Sequence, residues 1–131
     1  MDIEEYFEFI QIESDYLKRL ILLSVRKIVD SGFRQDLFFG PLIEGPTFSG
    51  ENGEVNEDGY IRINTNRLKQ YEENVAMALI AHELAHSHLK HFEHFENSLD
   101  KEYEADNLAR AWGFDIDKFR QVCGEPFIKQ I

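Results

Sequence analysis

Apolar residues in the first thirty positions recur at intervals of three or four, which is the spacing of one face of an α-helix. They are Ile3, Phe7, Ile10, Leu17, Leu20, Ile21, Val25, Ile28 and Val29. This pattern predicts either two abutting helices or one bent helix. Ser14 can cap an internal helix start, and Gly32 can end the helix.

The stretch from 32 to 59 is rich in turn-forming residues and holds six of the eight glycines and two of the three prolines. It predicts turns and short strands, with candidate strands at Asp36–Phe39 and Thr47–Phe48. Residues Tyr60–Asn64 then alternate apolar and polar side chains. This alternation predicts a strand with Ile61 and Ile63 turned inward.

Helical periodicity returns in the second half of the chain. One helix is predicted from about Glu72 to Lys90, and a second from Leu99 to Trp112 with Asn97 or Ser98 as its cap. A last short helix begins at Asp115. The order of elements predicts a single α+β domain over residues 1–131.

Charge and cysteine content narrow the range of partners. The chain has 25 acidic and 14 basic residues and a formal charge of −11. Binding to nucleic acid or to an anionic membrane needs clustered Lys and Arg, so neither is expected as a partner. Cys123 is the only cysteine, and the chain begins with acidic residues and has no long apolar run. We therefore expect a cytoplasmic protein without a membrane span.

All five histidines fall between positions 82 and 94, and two of them belong to the pentad His82-Glu83-Leu84-Ala85-His86. On a helix, residues four apart lie about 40° apart on one face, so both imidazoles can bind one small cation. Glu83 lies one residue round from His82, and its carboxylate can reach a metal-activated water without itself binding the metal. The simpler alternative is a surface helix rich in His and Glu.

A catalytic zinc site normally has three protein ligands, so a further ligand must come from another element. Glu102 and Asp106 are also four apart, so one carboxylate can bind metal while the other accepts a hydrogen bond from a ligating imidazole. The fifteen residues between His86 and Glu102 suffice for a turn and an antiparallel return. The metzincin arrangement is excluded, because positions 89 and 92 are Leu89 and Phe92 rather than Gly and His.

The segments YIRINTNRL, HELAHSHLKH and EYEADNLARAWGF resemble the gluzincin metallopeptidases, most closely the M48-type branch and its small standalone relatives, the minigluzincins. The resemblance covers residues 60–114. It implies a zincin-like fold with an N-terminal backing helix, a short twisted sheet of about three strands, an active-site helix and a glutamate helix. It also implies Zn²⁺ bound by His82, His86 and Glu102, Glu83 as the catalytic residue, and Asp106 as support for a ligand.

On this interpretation the protein is a zinc-dependent endopeptidase that acts on a peptide or protein substrate. The downstream His or Arg that M48-type enzymes use beside the transition state has no clear match in the sequence. Tyr103, Arg110 and Tyr60 are candidate oxyanion donors, although each is more simply structural. Strand Tyr60–Asn64 is interpreted either as an edge strand, to which a substrate could add through main-chain hydrogen bonds, or as an ordinary strand protected by Arg62, and the resemblance favours the substrate-binding edge strand.

The other histidines and the C-terminal tail have weaker signals. On a continuous helix His88, His91 and His94 turn away from the ligand face, so they are interpreted as helix-end or packing residues, although His91, five residues after His86, also matches a position of the M48-type proteins. Cys123 is more simply a small buried thiol. In the alternative, the enzyme is latent, and Cys123, Glu125 or the terminal carboxylate occupies the open position of the zinc.

Two other functions remain open from the sequence. Regulatory metalloproteins of the ImmA/IrrE kind share the His-Glu-x-x-His helix and act on a dedicated repressor. A helical interaction module with a catalytically weak or vestigial zinc site is the third possibility.

Overall fold

The structure is a computed structural model, and it describes residues 2–33, 35–48, 50–91 and 99–126. Within these residues the chain is a small α+β domain, as the sequence predicts. Its elements are a 3-10 helix Ile3–Tyr6, β1 Ile10–Gln11, α1 Asp15–Asp30, β2 Leu42–Glu44, β3 Gly53–Val55, β4 Ile61–Ile63, α2 Thr65–Leu68, α3 Glu73–His88, α4 Leu99–Ala111 and α5 Ile116–Cys123. No helix in the described ranges is both long and apolar enough to cross a bilayer.

The strands form one mixed sheet in the order β1-β2-β4-β3, with four strands in the described residues where about three are predicted. β1, β2 and β4 run parallel, whereas β3 runs antiparallel to β4 with Gly53 opposite Ile63. The strand predicted within Tyr60–Asn64 is confirmed, and Ile61 and Ile63 are fully buried. Its expected position at the edge is wrong, because β4 lies between β2 and β3. The edge strand beside α3 is β3.

The N-terminal segment is the first correction to the predicted elements. Residues 3–11 form the 3-10 helix and β1 instead of a regular helix. Phe7 makes an isolated parallel bridge with Phe39, and Ile10 pairs with Leu42 in the sheet. These partners lie far along the chain. Pairing with them stabilises the segment more than a short local helix would, because such a helix is only marginally stable by itself. Ser14 caps the start of α1 as predicted.

The two strands predicted at Asp36–Phe39 and Thr47–Phe48 are also wrong. The segment Asp36–Phe39 contributes to the sheet only the isolated bridge between Phe39 and Phe7. The second lies in a loop, where the Thr47 hydroxyl donates to the Glu51 carbonyl and the Phe48 N–H donates to the Glu54 carboxylate. Strands β2 and β3 form a few residues further along, where backbone partners on β4 are available.

Helix α3 is the central element of the core and packs against α1, α4, α5 and the strands β3 and β4. From Val75 to Ser87 all of its residues except Met77 are buried. A helix buried on every face belongs to a protein interior. Its polar side chains are therefore inside the protein and need partners there.

The carboxylate of Glu44 joins three elements. It accepts hydrogen bonds from the backbone N–H groups of Glu13 and Ser14 and from the hydroxyls of Ser14 and Thr65. The group thus links β2 to the start of α1 and to α2. Burial alone would raise the pKa of Glu44, but these hydrogen bonds more than offset it and lower the pKa to about 2.

Replacing Glu44 with Gln should lower the free energy of unfolding by about 1–2 kcal/mol at neutral pH, because a neutral amide accepts more weakly than a carboxylate. The folded-state pKa is depressed from 4.5 to about 2. The stabilisation is therefore complete above about pH 4.5 and is lost as the pH falls towards 2. Urea unfolding at pH 7 and pH 3 should show a smaller difference between the two proteins at pH 3.

Glu13→Gln is the matched control, since the Glu13 side chain is exposed and only its backbone N–H contacts Glu44. It should leave the free energy of unfolding unchanged. A Glu44→Gln protein as stable as the wild type at pH 7 would contradict this account.

Candidate metal centre

Three side-chain atoms from two helices converge at the buried centre of the fold. His82 Nε2 lies 2.9 Å from Glu102 Oε2 and 3.0 Å from His86 Nε2, and His86 Nε2 lies 3.2 Å from the same Glu102 oxygen. The two histidines follow one another by a single turn of α3, and Glu102 is in the first turn of α4. The structure therefore brings together the predicted ligand set as a group that could bind a metal ion.

The chemistry of these atoms fits a small divalent cation. His82 Nδ1 lies 2.8 Å from Asp106 Oδ1, so a neutral His82 ring, as a metal ligand must be, carries its proton on Nδ1 and turns its Nε2 lone pair towards the other two atoms. Three lone-pair atoms at such distances repel one another unless a proton or a metal ion lies among them. In a tetrahedral zinc site, ligand atoms at about 2.0–2.1 Å from the ion are about 3.3 Å from one another. The observed triangle needs only a slight expansion to match.

Asp106 and Arg120 lie behind His82 and support this candidate ligand. The Arg120 guanidinium donates Nε–H to Asp106 Oδ2 and Nη2–H to Asp106 Oδ1, both at 2.8 Å. Asp106 is 4% exposed. The two-pronged hydrogen bond therefore holds its carboxylate in one orientation, from which it aligns the His82 ring. The structure thus places Asp106 next to His82, one of the predicted ligands.

Arg120 is the residue of the candidate site that the sequence analysis missed. It lies on α5 four residues after Ile116, and Ile116 and Phe119 are the buried residues of that helix. The inward face of α5 therefore includes Arg120. A buried carboxylate such as Asp106 requires a cation, and this requirement was the available signal.

The site stabilises positive charge. Burial of the His82 imidazole lowers its pKa, but hydrogen bonds with Asp106 and Glu102 more than offset this and raise the pKa to about 9. Burial of Glu102 opposes its ionisation, yet the hydrogen bonds with His82 and His86 lower its pKa far below the usual range. Burial lowers the pKa of His86 and keeps that ring neutral, as a metal ligand must be.

Glu83 lies between the three donor atoms and the edge strand β3. Its Oε1 is 3.9 Å from His82 Nε2, and its side chain packs against Gly53. A Cβ atom at position 53 would come within 3.1 Å of Glu83 Cγ, so the glycine permits this close approach. The carboxyl group is therefore next to the candidate metal position but outside the ligand group.

Two cavities meet at this centre and share Gly53, Glu83 and Glu102 in their walls. The larger cavity, of about 290 Å³, extends between the loop before β3 and α5, where Phe119 and Arg120 line it. The smaller, of about 40 Å³, extends along β3 towards the end of α3. Together they form a cleft along the edge strand.

The three candidate oxyanion donors lie outside this cleft. Arg110 is bound to Asn107 and Asp117, and Tyr60 packs edge-on against another aromatic ring. Tyr103 is half exposed and lines a separate surface cavity with Arg110. The structural interpretation is the better one for all three.

Of the other three histidines, His88 and His91 lie within the residues that the structure describes. His88 bonds to Gln35 and packs against Phe33 and Trp112, which agrees with its interpretation as a packing residue. His91 does not turn away from the ligands, because α3 ends at His88 and the chain folds back. The predictions for His94 and for the Asn97 or Ser98 cap lie outside the described residues.

Comparisons with known proteins return no match: no family model, curated protein or solved structure is similar enough to this chain to be counted as related.

Replacing Asp106 with Asn should weaken zinc binding by roughly 10- to 100-fold, because the amide holds the His82 ring less firmly and can present N–H to it. Competition with a chromophoric chelator measures the affinity. Asp117→Asn is the matched control, since the Asp117 carboxylate also pairs with an arginine but is 87% exposed and does not contact the candidate ligands. Equal zinc affinity in the Asp106→Asn protein and the wild type would contradict the supporting role.

Proposed function

We propose that the protein is a zinc-dependent metallopeptidase that cleaves within peptide chains. The observation that carries the proposal is the combination at one cleft of two histidines and a glutamate as metal ligands, Glu83 beside them, and the edge strand β3 alongside. Hydrolytic zinc sites use three protein ligands and leave the fourth position open. His82, His86 and Glu102 provide that number and type of donor.

A bound zinc ion would polarise a peptide carbonyl and lower the pKa of the attacking water. The Glu83 carboxylate is placed to accept the proton of that water and to return it to the leaving amine. Glu83 is 7% exposed and lies in the walls of both cavities. Arg120 lines the larger cavity with Nη2 3.9 Å from Glu102 Oε2, so it is better placed than the predicted donors to contact a substrate carbonyl.

The edge strand indicates how a substrate would bind. β3 pairs with β4 on one side and borders the cleft on the other. An extended peptide could therefore add to β3 through main-chain hydrogen bonds, with side chains in the cavities. Because the two cavities extend from Glu83 in different directions, a bound peptide would continue on both sides of the cleaved bond. This arrangement favours an endopeptidase.

The end of the described chain supports a latent form of the enzyme. Cys123, Glu125 and Pro126 line the larger cavity. Cys123 contacts the Tyr71 hydroxyl and does not belong to the group of potential metal ligands in the described residues. The expected blocking of the cleft therefore depends on Glu125 and the residues after it, of which 127–131 lie outside the described residues.

Replacing Glu83 with Gln should lower the rate of peptide cleavage by roughly 10²- to 10⁴-fold, because the amide cannot accept the proton of the attacking water. Zinc content should stay at that of the wild type, since Glu83 is not a ligand. Cleavage is measured on casein and on a mixed peptide library, and zinc by elemental analysis. Glu72→Gln is the control, because Glu72 precedes the same helix without a capping side-chain hydrogen bond.

The assay should be made with the full chain and with a chain that ends after Gly124. The latent form predicts faster cleavage by the shorter chain. Equal rates of cleavage would contradict the latent form but not the peptidase activity. Stoichiometric zinc without cleavage by either chain would contradict a general endopeptidase and support either the regulatory metalloprotein with a dedicated substrate or the metal-binding interaction module.

A further inference from the structure

The end of helix α3 folds back over its own last turn. The N–H of Lys90 donates to the Ser87 carbonyl at 3.1 Å, and the N–H of His91 donates to the His86 carbonyl at 2.9 Å. This pair of bonds is the Schellman arrangement, in which the residue after the helix adopts a left-handed conformation. Lys90 has φ +59° and is the non-glycine residue with positive φ in the described chain. This left-handed turn, which a non-glycine residue adopts only with some strain, reverses the chain and places His91 beside His86.

His91 links the second candidate ligand to a carboxylate on α4. His91 Nδ1 lies 3.3 Å from His86 Nδ1, and His91 Nε2 lies 3.0 Å from Glu104 Oε2. The His91 side chain is 9% exposed, so its ring nitrogens face these two partners rather than bulk water.

The order of protons along this chain of contacts follows from the metal site. His86 must present the Nε2 lone pair to a cation, so its proton belongs on Nδ1. His86 Nδ1–H then donates to His91 Nδ1, which leaves the His91 proton on Nε2. That proton is donated to the Glu104 carboxylate. With one proton on each of the two rings, each donor thus meets an acceptor when His86 has the tautomer that binds metal.

We propose that His91, held by Glu104, is a positioning residue that fixes the tautomer and ring orientation of His86. It corresponds to the support that Asp106 and Arg120 provide for His82 on the other side of the centre. The inference rests on the metal site of the proposed function, but it does not depend on peptide hydrolysis.

Replacing His91 with Phe keeps an aromatic ring but removes the acceptor for His86 Nδ1–H. Zinc affinity, measured by chelator competition, should fall by roughly 10- to 100-fold. His91→Gln can accept through its amide oxygen and donate through its amide nitrogen, and it should restore a large part of the lost affinity. His88→Phe is the matched control, because His88 also lies at the end of α3 but packs against Phe33 and Trp112 instead of a candidate ligand.

A spectroscopic readout separates positioning from general stability. The visible spectrum of the Co²⁺-loaded protein should change in band position and intensity in His91→Phe but not in His88→Phe. In the zinc-free chain, ¹⁵N NMR should show the Nδ1–H tautomer of His86 in the wild type and a mixture of tautomers in His91→Phe.

Unchanged zinc affinity and an unchanged cobalt spectrum in His91→Phe would overturn the proposal. A wild-type chain that binds no zinc would overturn the proposed function instead, and the NMR comparison would still decide whether His91 sets the tautomer of His86.

Discussion

The structure depends on holding three lone-pair atoms within about 3 Å of one another inside the protein. The lone pairs of these atoms repel one another unless a proton or a metal ion lies among them, so the surrounding elements must hold the atoms in place. α3 carries two of the atoms and is buried on every side, while α4 brings the third and α5 brings the arginine that fixes Asp106. The packing of these three helices is therefore also the assembly of the site.

The net charge of −11 takes on a different meaning in this light. Several of the acidic residues have specific partners within the fold. Glu102 and Asp106 face imidazoles, Glu104 faces His91, and Glu44 links the sheet to two helices. The carboxylates of the candidate metal centre and the carboxylate that links the sheet to two helices all contribute to the same net charge. Composition alone could not separate these roles.

The sequence predicted those parts that depend on local spacing. His82 and His86 share a helix face because they are four residues apart, Ser14 caps α1, and the alternation around Ile61 identifies β4. The strands β2 and β3 were misplaced because elements of three residues form wherever a neighbouring strand offers hydrogen bonds. The role of His91 was missed because the helix was assumed to continue, and a lysine does not signal a left-handed turn.

X-ray absorption at the zinc edge of the zinc-loaded wild-type protein tests the central claim most directly. The account predicts one zinc per chain with only nitrogen and oxygen neighbours, at about 2.0–2.1 Å, and scattering from two imidazole rings. A sulfur neighbour at about 2.3 Å would place Cys123 on the metal and contradict the ligand set. Scattering from a third imidazole, or failure to bind zinc stoichiometrically, would contradict it as well.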